Sequence, residues 1–248
     1  MRENFVIHPK YEHLAAKLKD VLHNFTKSGE YVLKGDRNVI KRVNLLGNDL
    51  NIKKFKTPNV FQAVVYQFIR DSKAKRSFDY ARRLIDLGIN TPFPVAYLEM
   101  FSIGLKESFY ISEHIDYDFD FRELIHNPRF KKRNEILKQF TAFTFKLHEN
   151  RVNFLDHSPG NTLIKDLGNN QYDFYLIDLN RMRFEELDFE KRMRNFRRLW
   201  LSKTMIKIMA QEYATLYGKS YGETHLLMTK FSREFQKRVN LKKLRKRK

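Results

Sequence analysis

The sequence predicts an α+β fold in two lobes, with a small antiparallel sheet in the N-terminal lobe and mostly helices in the C-terminal lobe. Three observations lead to this prediction. Short runs of alternating apolar residues are separated by turn residues between positions 31 and 55. A helical pattern, with apolar residues three and four apart, follows before strand character returns. Helical spacing then dominates the second half, where one hairpin pattern interrupts it.

The predicted sheet begins with three short strands, whose sequences are YVLK, NVIKRVNLL and LNIKKF. Turn residues separate them at positions 35–36 (GD) and 47–49 (GND). Two more strands, PVAYLEMF and SFYISEHI, follow after a helical segment and complete the sheet. The N-terminal lobe is therefore expected to be a sheet with a helix inserted between its strands.

The helical segment of the N-terminal lobe is predicted from about residue 59 to residue 87, where Gly88 and Pro92 end it. The second half begins with a long helix over roughly residues 129–149. The hairpin NTLIKD and YDFYLIDLN follows, and two or three helices complete the chain. The C-terminal lobe is therefore expected to be mostly helical.

The composition is that of an ordinary globular protein, with 42% hydrophobic and 31% charged residues among 248. We expect one domain over residues 1–248, with an N-lobe over about 1–113, a C-lobe over about 114–235 and a basic tail over about 236–248. No cysteine is present, which excludes disulfides, zinc–thiolate sites and thiol nucleophiles. The first residues lack the apolar core of a signal peptide, and about 18 apolar residues never run together, so we expect a cytoplasmic protein.

The net charge of +19 comes from 48 Lys and Arg against 29 Asp and Glu. A field of this sign attracts nucleic acid, acidic lipid or phosphorylated substrates. The bias is strongest in the tail KKLRKRK at residues 242–248. No recognition motif accompanies the charge, so no specific nucleic-acid partner is expected.

Three oxygen-bearing side chains lie in or beside apolar segments of this basic chain. Asp156 and Asn161 are five residues apart between a predicted helix and a predicted strand, and Asp178 follows the next strand. Carboxylate and amide oxygens suit Mg²⁺, which completes its shell with phosphate and water. In phosphoryl transfer of the kinase type, the first Asp accepts the proton of the acceptor hydroxyl while the Asn and the second Asp hold the metal.

The surroundings of Asp156 make this spacing more specific. Protein kinases carry Leu-His, an Asp eight residues after the His, a Pro three residues after that Asp and an Asn five residues after it. Here Leu147 and His148 lead to Asp156, Pro159 and Asn161 without a gap. An apolar strand ending in Asp comes next, where kinases have Asp-Phe-Gly and this chain has DLN at 178–180.

At these segments the sequence resembles the small protein-kinase-like sugar kinases of the lipopolysaccharide inner core, which include the 3-deoxy-D-manno-octulosonic acid (Kdo) kinases. DHSPGNTLI and LIDLNRMRF look like the catalytic and metal-binding segments of that family, and NIKKF, GINTPFPVAYLE and NFRRLW look like its other landmarks. The likeness covers roughly residues 30–200. It implies a bilobal protein-kinase-like fold, ATP with Mg²⁺ as cofactors, and a lipopolysaccharide or Kdo-lipid A acceptor with a Kdo or heptose hydroxyl.

Such an acceptor is an acidic lipid at the inner face of the inner membrane. The resemblance therefore implies that the protein docks there as a peripheral protein. Basic segments near an anionic membrane surface gain about 1 kcal/mol per Lys or Arg, and the tail offers six cations among its seven residues. The apolar stripe before the tail, Phe231, Phe235 and Val239, is expected to pack on the protein body.

The resemblance also implies a lysine on the third strand that holds the ATP phosphates. LNIKKF offers Lys53 and Lys54, which alternation places on opposite faces. The family pattern Lys-x-aromatic favours Lys53, and a strict count of faces leaves Lys54 possible. The phosphate loop would have Gly35 as its single glycine. For the adenine, backbone groups near Glu113 and Ile115 would form the hydrogen bonds.

One position departs from the pattern. In kinases a glutamate on the helix after the lysine strand pairs with the lysine, and here Lys75 stands at that position. Asp79, one turn later on the same helical face, is the nearest replacement. Lys75 and the single-glycine loop leave an alternative open, namely a pseudokinase that binds nucleotide or lipid without turnover. His114, His148 and His157 match no zinc spacing and are expected to be structural or surface residues.

Overall fold

The computed structural model describes residues 2–35, 38–59, 62–63, 65–66 and 70–245. The chain divides after Ile115 into two compact units. The first unit contains a six-stranded, antiparallel sheet with the order β1-β5-β6-β4-β3-β2. Its strands are β1 (Arg2–Ile7), β2 (Glu30–Lys34), β3 (Asn38–Leu45), β4 (Asn48–Phe55), β5 (Pro94–Phe101) and β6 (Leu105–Glu113).

A helix covers each face of this sheet. Helix α1 (Ala15–His23) places Leu18 and Leu22 against Ile52, Phe109 and their neighbours. Helix α2 (Lys73–Asp86) packs Ala74 and Phe78 on the opposite face, against the alternate residues of the same strands. Because side chains alternate along a strand, the two faces of β4 belong to two different hydrophobic clusters. This decides which lysine of β4 faces which helix.

The second unit is mostly helical. Helix α4 (Arg133–Glu149) packs against α6 (Lys203–Tyr217), and α6 packs against α7 (Tyr221–Arg245), around a large cluster of Phe, Met and Leu. A three-stranded sheet (β10-β9-β7) and a two-stranded pair (β11-β8) complete the unit. Its elements are β7 (Phe119–Asp120), α3 (Arg122–His126), α4 (Arg133–Glu149), β8 (Val152–Phe154), β9 (Thr162–Asp166), β10 (Tyr172–Leu176), β11 (Met182–Phe184), α5 (Phe189–Asn195), α6 (Lys203–Tyr217) and α7 (Tyr221–Arg245).

The predicted α+β fold class is confirmed, and so are the strands β2 to β6 and the hairpin β9–β10. Strand β1 and helix α1 were not predicted. Helix α4 begins at Arg133 because Lys132 has a left-handed backbone (φ 57°), so the prediction of a start near residue 129 was wrong. Much of the first half of the helical segment predicted from residue 59 lies outside the described residues. Among the helices that the structure describes, none has the length and apolar composition needed to cross a membrane.

Candidate active site

The short pair β8–β11 brings the segments around Asp156 and Asp178 together. Met182 of β11 pairs with Phe154 of β8, so the residues just after β8 lie beside those just before β11. Leu155 N donates to Arg181 O at 3.0 Å, and Ile177 N donates to Asn161 O at 3.0 Å. Backbone hydrogen bonds thus join both ends of the loop 155–161 to the segment that carries Asp178.

Asp156 and Asn161 are fixed to each other across their loop. Asn161 Nδ2 donates to the backbone oxygen of Asp156 at 2.8 Å, which leaves the amide oxygen directed elsewhere. The Asp156 carboxylate lies near two guanidinium groups: Arg198 Nη2 is 2.7 Å from Oδ1, and Arg181 Nη1 is 3.6 Å from Oδ2. The Asp156 side chain is only 18% exposed. The carboxylate is therefore oriented from both sides.

Asp178 follows β10 with a left-handed backbone at φ 58°. This conformation is uncommon for residues other than glycine, although Asp and Asn tolerate it better than most. Asn180 Nδ2 donates to Asp178 Oδ1 at 2.6 Å and holds the carboxylate over the turn. Residues in such conformations are concentrated at functional sites, where the surrounding structure maintains them.

Asn195, at the end of α5, links β8 and the loop 155–161 to the helices. Its Nδ2 donates to Asn153 Oδ1 and to Phe154 O, both at 3.0 Å. Its Oδ1 lies 3.0 Å from His157 Nδ1 and 3.4 Å from His148 Nε2. Since Oδ1 can only accept, both imidazoles donate to it, and His148 Nδ1 then accepts from Tyr213 OH at 2.8 Å.

Both of these histidines are buried and uncharged. Burial lowers the pKa of His148 to about 3 and that of His157 to about 4. Protonation would put a second N–H on each ring, and His157 Nε2 has no hydrogen-bond partner among the described residues. The expectation that His148 and His157 are structural residues agrees with this environment.

The residues of the second unit fit Mg²⁺ by their chemistry. Asn161 supplies an amide oxygen and Asp178 a carboxylate, which are the hard oxygen ligands that this ion prefers. Mg²⁺ commonly takes one or two protein carboxylates and completes its shell with substrate phosphates and water. Within the described part of the chain, no group of three or more His, Cys, Asp or Glu gathers as a metal site. A site for Mg²⁺ would accordingly use Asn161 and Asp178 together with the nucleotide.

Lys53 and Lys54 lie on opposite faces of β4, as alternation predicts. Lys54 Nζ pairs with Glu107 Oε1 at 2.8 Å and lies 5.2 Å from the Phe109 ring centre, on the α1 face. Lys53 Nζ lies 5.2 Å from the Phe55 ring centre. Because Phe55 packs with helix α2, Lys53 is on the α2 face. This is the face on which a helix carboxylate could reach it.

On helix α2, Lys75 has its own partner. Its Nζ lies 2.7 Å from Asp71 Oδ1, one turn before it, and this hydrogen bond raises the pKa of Lys75. Asp79 follows Phe78, whose ring makes an edge contact with Tyr97 of β5 at 5.4 Å. Burial raises the pKa of the half-buried Asp79 carboxyl. Asp79 is thus half-buried next to a residue that packs on the sheet, and Lys75 pairs with Asp71, which lies just before the helix.

The other residues predicted to bind the nucleotide lie in or beside separate elements of the first unit. Gly35 is exposed in the β2–β3 turn and lines a small open cavity of about 170 Å³ together with Lys54 and Lys56. The neighbouring Asp36 and Arg37, which would continue the phosphate loop, lie outside the described residues.

At the end of β6, Glu113 N donates to Phe93 O at 2.9 Å, so an adenine hydrogen bond at Glu113 would have to use its carbonyl. The Glu113 side chain accepts from Tyr11 OH and pairs with Lys10 Nζ at 3.1 Å. Ile115 is the last residue of the first unit.

Sequence reasoning missed three residues next to Asp156. Arg181 and Arg198 contact its carboxylate, and Asn195 fixes the loop that carries it. NFRRLW was noted as a family landmark, so residues 195–200 carried a signal. No spacing rule joins them to Asp156, because the contact depends on how α5 packs beside β8.

A family model described as the lipopolysaccharide kinase (Kdo/WaaP) family matches residues 37–220. A search of curated sequences finds no significant match. A solved structure described as WaaP in complex with acyl carrier protein is similar with a TM-score of 0.66 and 16% identity, over 96% of this chain and 99% of that chain.

The structural likeness confirms the protein-kinase-like fold. The family model spans well over half of the sequence and includes Lys53, Asp156, Asn161 and Asp178. It also confirms the resemblance found from the motifs. The chain therefore belongs to the lipopolysaccharide kinase (Kdo/WaaP) family.

Proposed function

We propose that the protein transfers the γ-phosphate of ATP to a sugar hydroxyl, of Kdo or heptose, in the lipopolysaccharide inner core. The observation that carries the proposal is the joining of the Asp156–Asn161 loop to the Asp178 segment by backbone hydrogen bonds. Phosphoryl transfer needs little covalent chemistry from the protein, so positioning and charge stabilisation supply most of the catalysis. Family membership supports the phosphotransferase activity.

Asp156 is the proposed base. The acceptor oxygen attacks the γ-phosphorus, the bond to the β–γ bridging oxygen breaks, and ADP leaves while the hydroxyl proton passes to the Asp156 carboxylate. A base in this role has to lie within hydrogen-bond distance of the hydroxyl. Arg198 and Arg181 hold the carboxylate in one orientation for that contact.

The remaining roles concern the nucleotide. Asn161 and Asp178 would hold Mg²⁺, which supplies positive charge to the β- and γ-phosphates. Lys53 would hold the α- and β-phosphates, with Asp79 as its carboxylate partner, and the backbone at Gly35 would cover the phosphates. For the adenine we propose the Glu113 carbonyl and the backbone amide of Ile115.

The acceptor is proposed to be Kdo-lipid A or a larger lipopolysaccharide precursor, met at the inner face of the inner membrane. Helix α7 is 25 residues long and ends in Lys242, Lys243 and Arg245. Leu241 and Leu244 beside them are 46% and 59% exposed. Exposed leucines among lysines suit reversible contact with an anionic membrane surface.

The direct test measures phosphate transfer from labelled ATP to Kdo-lipid A, with and without Mg²⁺, for the wild-type protein and for Asp156→Asn. We expect Mg²⁺-dependent transfer by the wild type and a loss of at least about 10³-fold in kcat for the variant, because the proton acceptor is removed while the side-chain shape stays. Asp86→Asn, at the exposed end of α2, is the matched control and should keep full activity. Full activity of Asp156→Asn would refute the proposal.

A pseudokinase without turnover is the second candidate. Lys75 favours this function, because it stands where kinases have the helix glutamate. It pairs with Asp71 and supplies no carboxylate to Lys53. The same assay separates the two functions. Mg-ATP binding by calorimetry without any phosphate transfer would support the pseudokinase, and measurable turnover of Kdo-lipid A would exclude it.

A further inference from the structure

An arginine-rich cluster adjoins the proposed base. We call it the arginine cluster and define it as Arg194, Arg197, Arg198 and Arg238. The first three come from the end of α5 and the 3-10 turn Phe196–Leu199, and the fourth comes from α7. The cluster therefore joins the C-terminal helix to the catalytic loop through Arg198, which contacts Asp156.

The ring of Phe235, on α7, contacts two arginines of the cluster. The guanidinium carbons of Arg198 and Arg238 each lie 5.6 Å from the centre of its ring. The ring also makes an edge contact with Trp200 at 6.0 Å. Guanidinium groups held on an aromatic ring keep their in-plane N–H groups available to an anion. Two such groups on one ring form a preorganised pair.

The positive charge of the cluster is only partly balanced. Arg194 pairs with Glu190 at 2.8 Å and Arg198 with Asp156 at 2.7 Å. For Arg197 and Arg238, no carboxylate of the described residues lies within ion-pair distance, and Arg197 donates to Arg194 O at 3.0 Å. Burial, together with repulsion from Arg194, Arg198 and Arg238, lowers the pKa of Arg197. Arg198 Nε is buried and has no hydrogen-bond partner within the same set of residues.

Such an arrangement lowers stability unless an anion offsets it, because a guanidinium group loses hydration on burial and repels its neighbours. Arginine is also the side chain best shaped for bidentate contact with a carboxylate or phosphate. An anion bound here would contact the same guanidinium group that contacts Asp156. Its own molecule would then lie beside the proposed base.

We propose that Arg197, Arg198 and Arg238 bind an acidic group of the acceptor, a carboxylate or a phosphate, and so present its hydroxyl to Asp156. This inference rests on the proposed function and assigns the acceptor side of that site. Arg198 keeps a second task as the positioning residue of the Asp156 carboxylate. The acceptor must therefore carry an acid close to the hydroxyl that receives the phosphate.

Membrane headgroups offer the same anionic chemistry, but the position of the cluster favours the acceptor. The Arg198 side chain is 32% exposed and Arg197 is partly buried, so both are recessed beside Asp156. A flat lipid surface would first meet the exposed cations farther along α7, at Lys242 and Lys243. The recessed arginines suit a single acidic group that enters the site.

The test uses Arg238→Gln, because Arg238 is exposed and its replacement leaves the packing of the unit intact. Arg197→Gln is the second variant. Arg233→Gln is the matched control, since Arg233 is exposed on the same helix five residues earlier. Initial rates are measured with Kdo-lipid A in detergent micelles at saturating Mg-ATP, and then with Mg-ATP varied.

We expect Arg238→Gln and Arg197→Gln to raise KM for the acceptor at least about 10-fold, with kcat and KM for ATP within about twofold, because uniform acceptor binding is lost. Arg233→Gln should match the wild type. Arg238→Lys should recover only part of the loss, since a lysine lacks the bidentate fork. An unchanged acceptor KM in both glutamine variants, or an equal change in Arg233→Gln, would overturn the proposal.

Two binding measurements separate the sources of the anion and the two hypotheses. Calorimetry with free Kdo should show weaker binding to Arg238→Gln than to Arg233→Gln. Co-sedimentation with phosphatidylglycerol vesicles should not differ between them, and a selective loss there with normal Kdo binding would assign the cluster to lipid instead. Binding of Kdo that depends on Arg238, without any turnover by the wild type, would refute the proposed function alone. Turnover that depends on Asp156 but not on the arginines would refute this inference alone.

Discussion

The segment around Asp156 and the segment around Lys53 differ in how their charged groups are partnered. In the second unit, backbone bonds join the two loops, Asn195 fixes the loop to α5, and Arg198 orients the proposed base. In the first unit, two lysines other than Lys53 form ion pairs of their own instead. Lys75 pairs with Asp71 and Lys54 with Glu107, so neither ion pair includes Lys53.

This difference teaches that the two groups of proposed site residues are held in place by different kinds of contact. The proposed base and the proposed metal ligands are held by hydrogen bonds within one unit, so their geometry depends on that unit alone. The proposed phosphate site depends on a lysine and a helix carboxylate from separate elements. A change such as lysine at position 75 is tolerated there because a neighbouring Asp71 neutralises it.

Within the first unit, the largest expected effect distinguishes the two lysines of β4. Lys53→Met should lower kcat/KM for ATP by about 10²-fold, or about 2.7 kcal/mol, because contact with the phosphates is lost. Lys54→Met should keep activity within about threefold. It should instead lower the free energy of unfolding by about 0.5–1 kcal/mol, since the partly exposed pair with Glu107 is broken.

Measurements of kcat/KM for ATP and of urea unfolding for both variants identify the lysine that contacts the phosphates. The reverse pattern, with activity lost in Lys54→Met and kept in Lys53→Met, would assign the phosphates to Lys54. That outcome would connect the phosphate site with the small cavity that Lys54 and Gly35 line together. The phosphate-binding lysine would then be on the α1 face of the sheet.

The second prediction concerns acid and the Asn195 network. His148 and His157 have folded-state pKa values of about 3 and about 4, below the value of 6.5 for an exposed imidazole. The unfolded state therefore binds more protons below pH 6.5, so stability falls as the pH is lowered. At pH 5 each histidine should have removed on the order of 2 kcal/mol.

The single tryptophan, Trp200, lies in the second unit and reports on it by fluorescence during urea unfolding. His157→Gln should lose less stability between pH 7.5 and pH 5 than the wild type does, because one of the two proton uptakes is gone. His126→Gln, at an exposed position at the end of α3, is the control and should follow the wild type. Identical pH dependence in all three proteins would contradict the assignment.

Much of the fold follows from local sequence signals, and the exceptions have physical reasons. Strands β2 to β4 were predictable because alternation and turn glycines coincide there. Helix α1 was missed although Leu14, Leu18 and Leu22 repeat every four residues, a spacing typical of a buried helix face. Strand β1 was missed because its first three residues, REN, are polar and hide any alternation, and because its pairing with β5 is a contact remote in sequence.

Some residues of the candidate site could likewise be predicted from the sequence, and others could not. Asp156, Asn161 and Asp178 could be found because each follows or precedes an apolar strand at a spacing that phosphoryl transfer requires. The arginines around Asp156 could not, since arginines are frequent in this chain and only tertiary packing selects Arg198. The roles of Asp156, Asn161 and Asp178 stay predictions, as do those of Lys53, Asp79, Gly35, Glu113 and Ile115.

The smallest expected effect tests whether Asp79 replaces the missing helix glutamate. Asp79→Asn should lower kcat/KM for ATP by about 10-fold, equivalent to about 1.4 kcal/mol, if the carboxylate helps to hold Lys53.

Burial raises the pKa of the Asp79 carboxyl above its usual value, so its ionised form is disfavoured in the fold and the charge opposes folding near neutral pH. The uncharged Asn should therefore leave the melting temperature unchanged or raise it. A residue whose loss lowers activity while stability rises is kept for function, because natural sites retain such groups at a cost in stability. Asp86→Asn on the same helix serves as the control, and unchanged activity in Asp79→Asn would leave Lys53 to act without a carboxylate from this position.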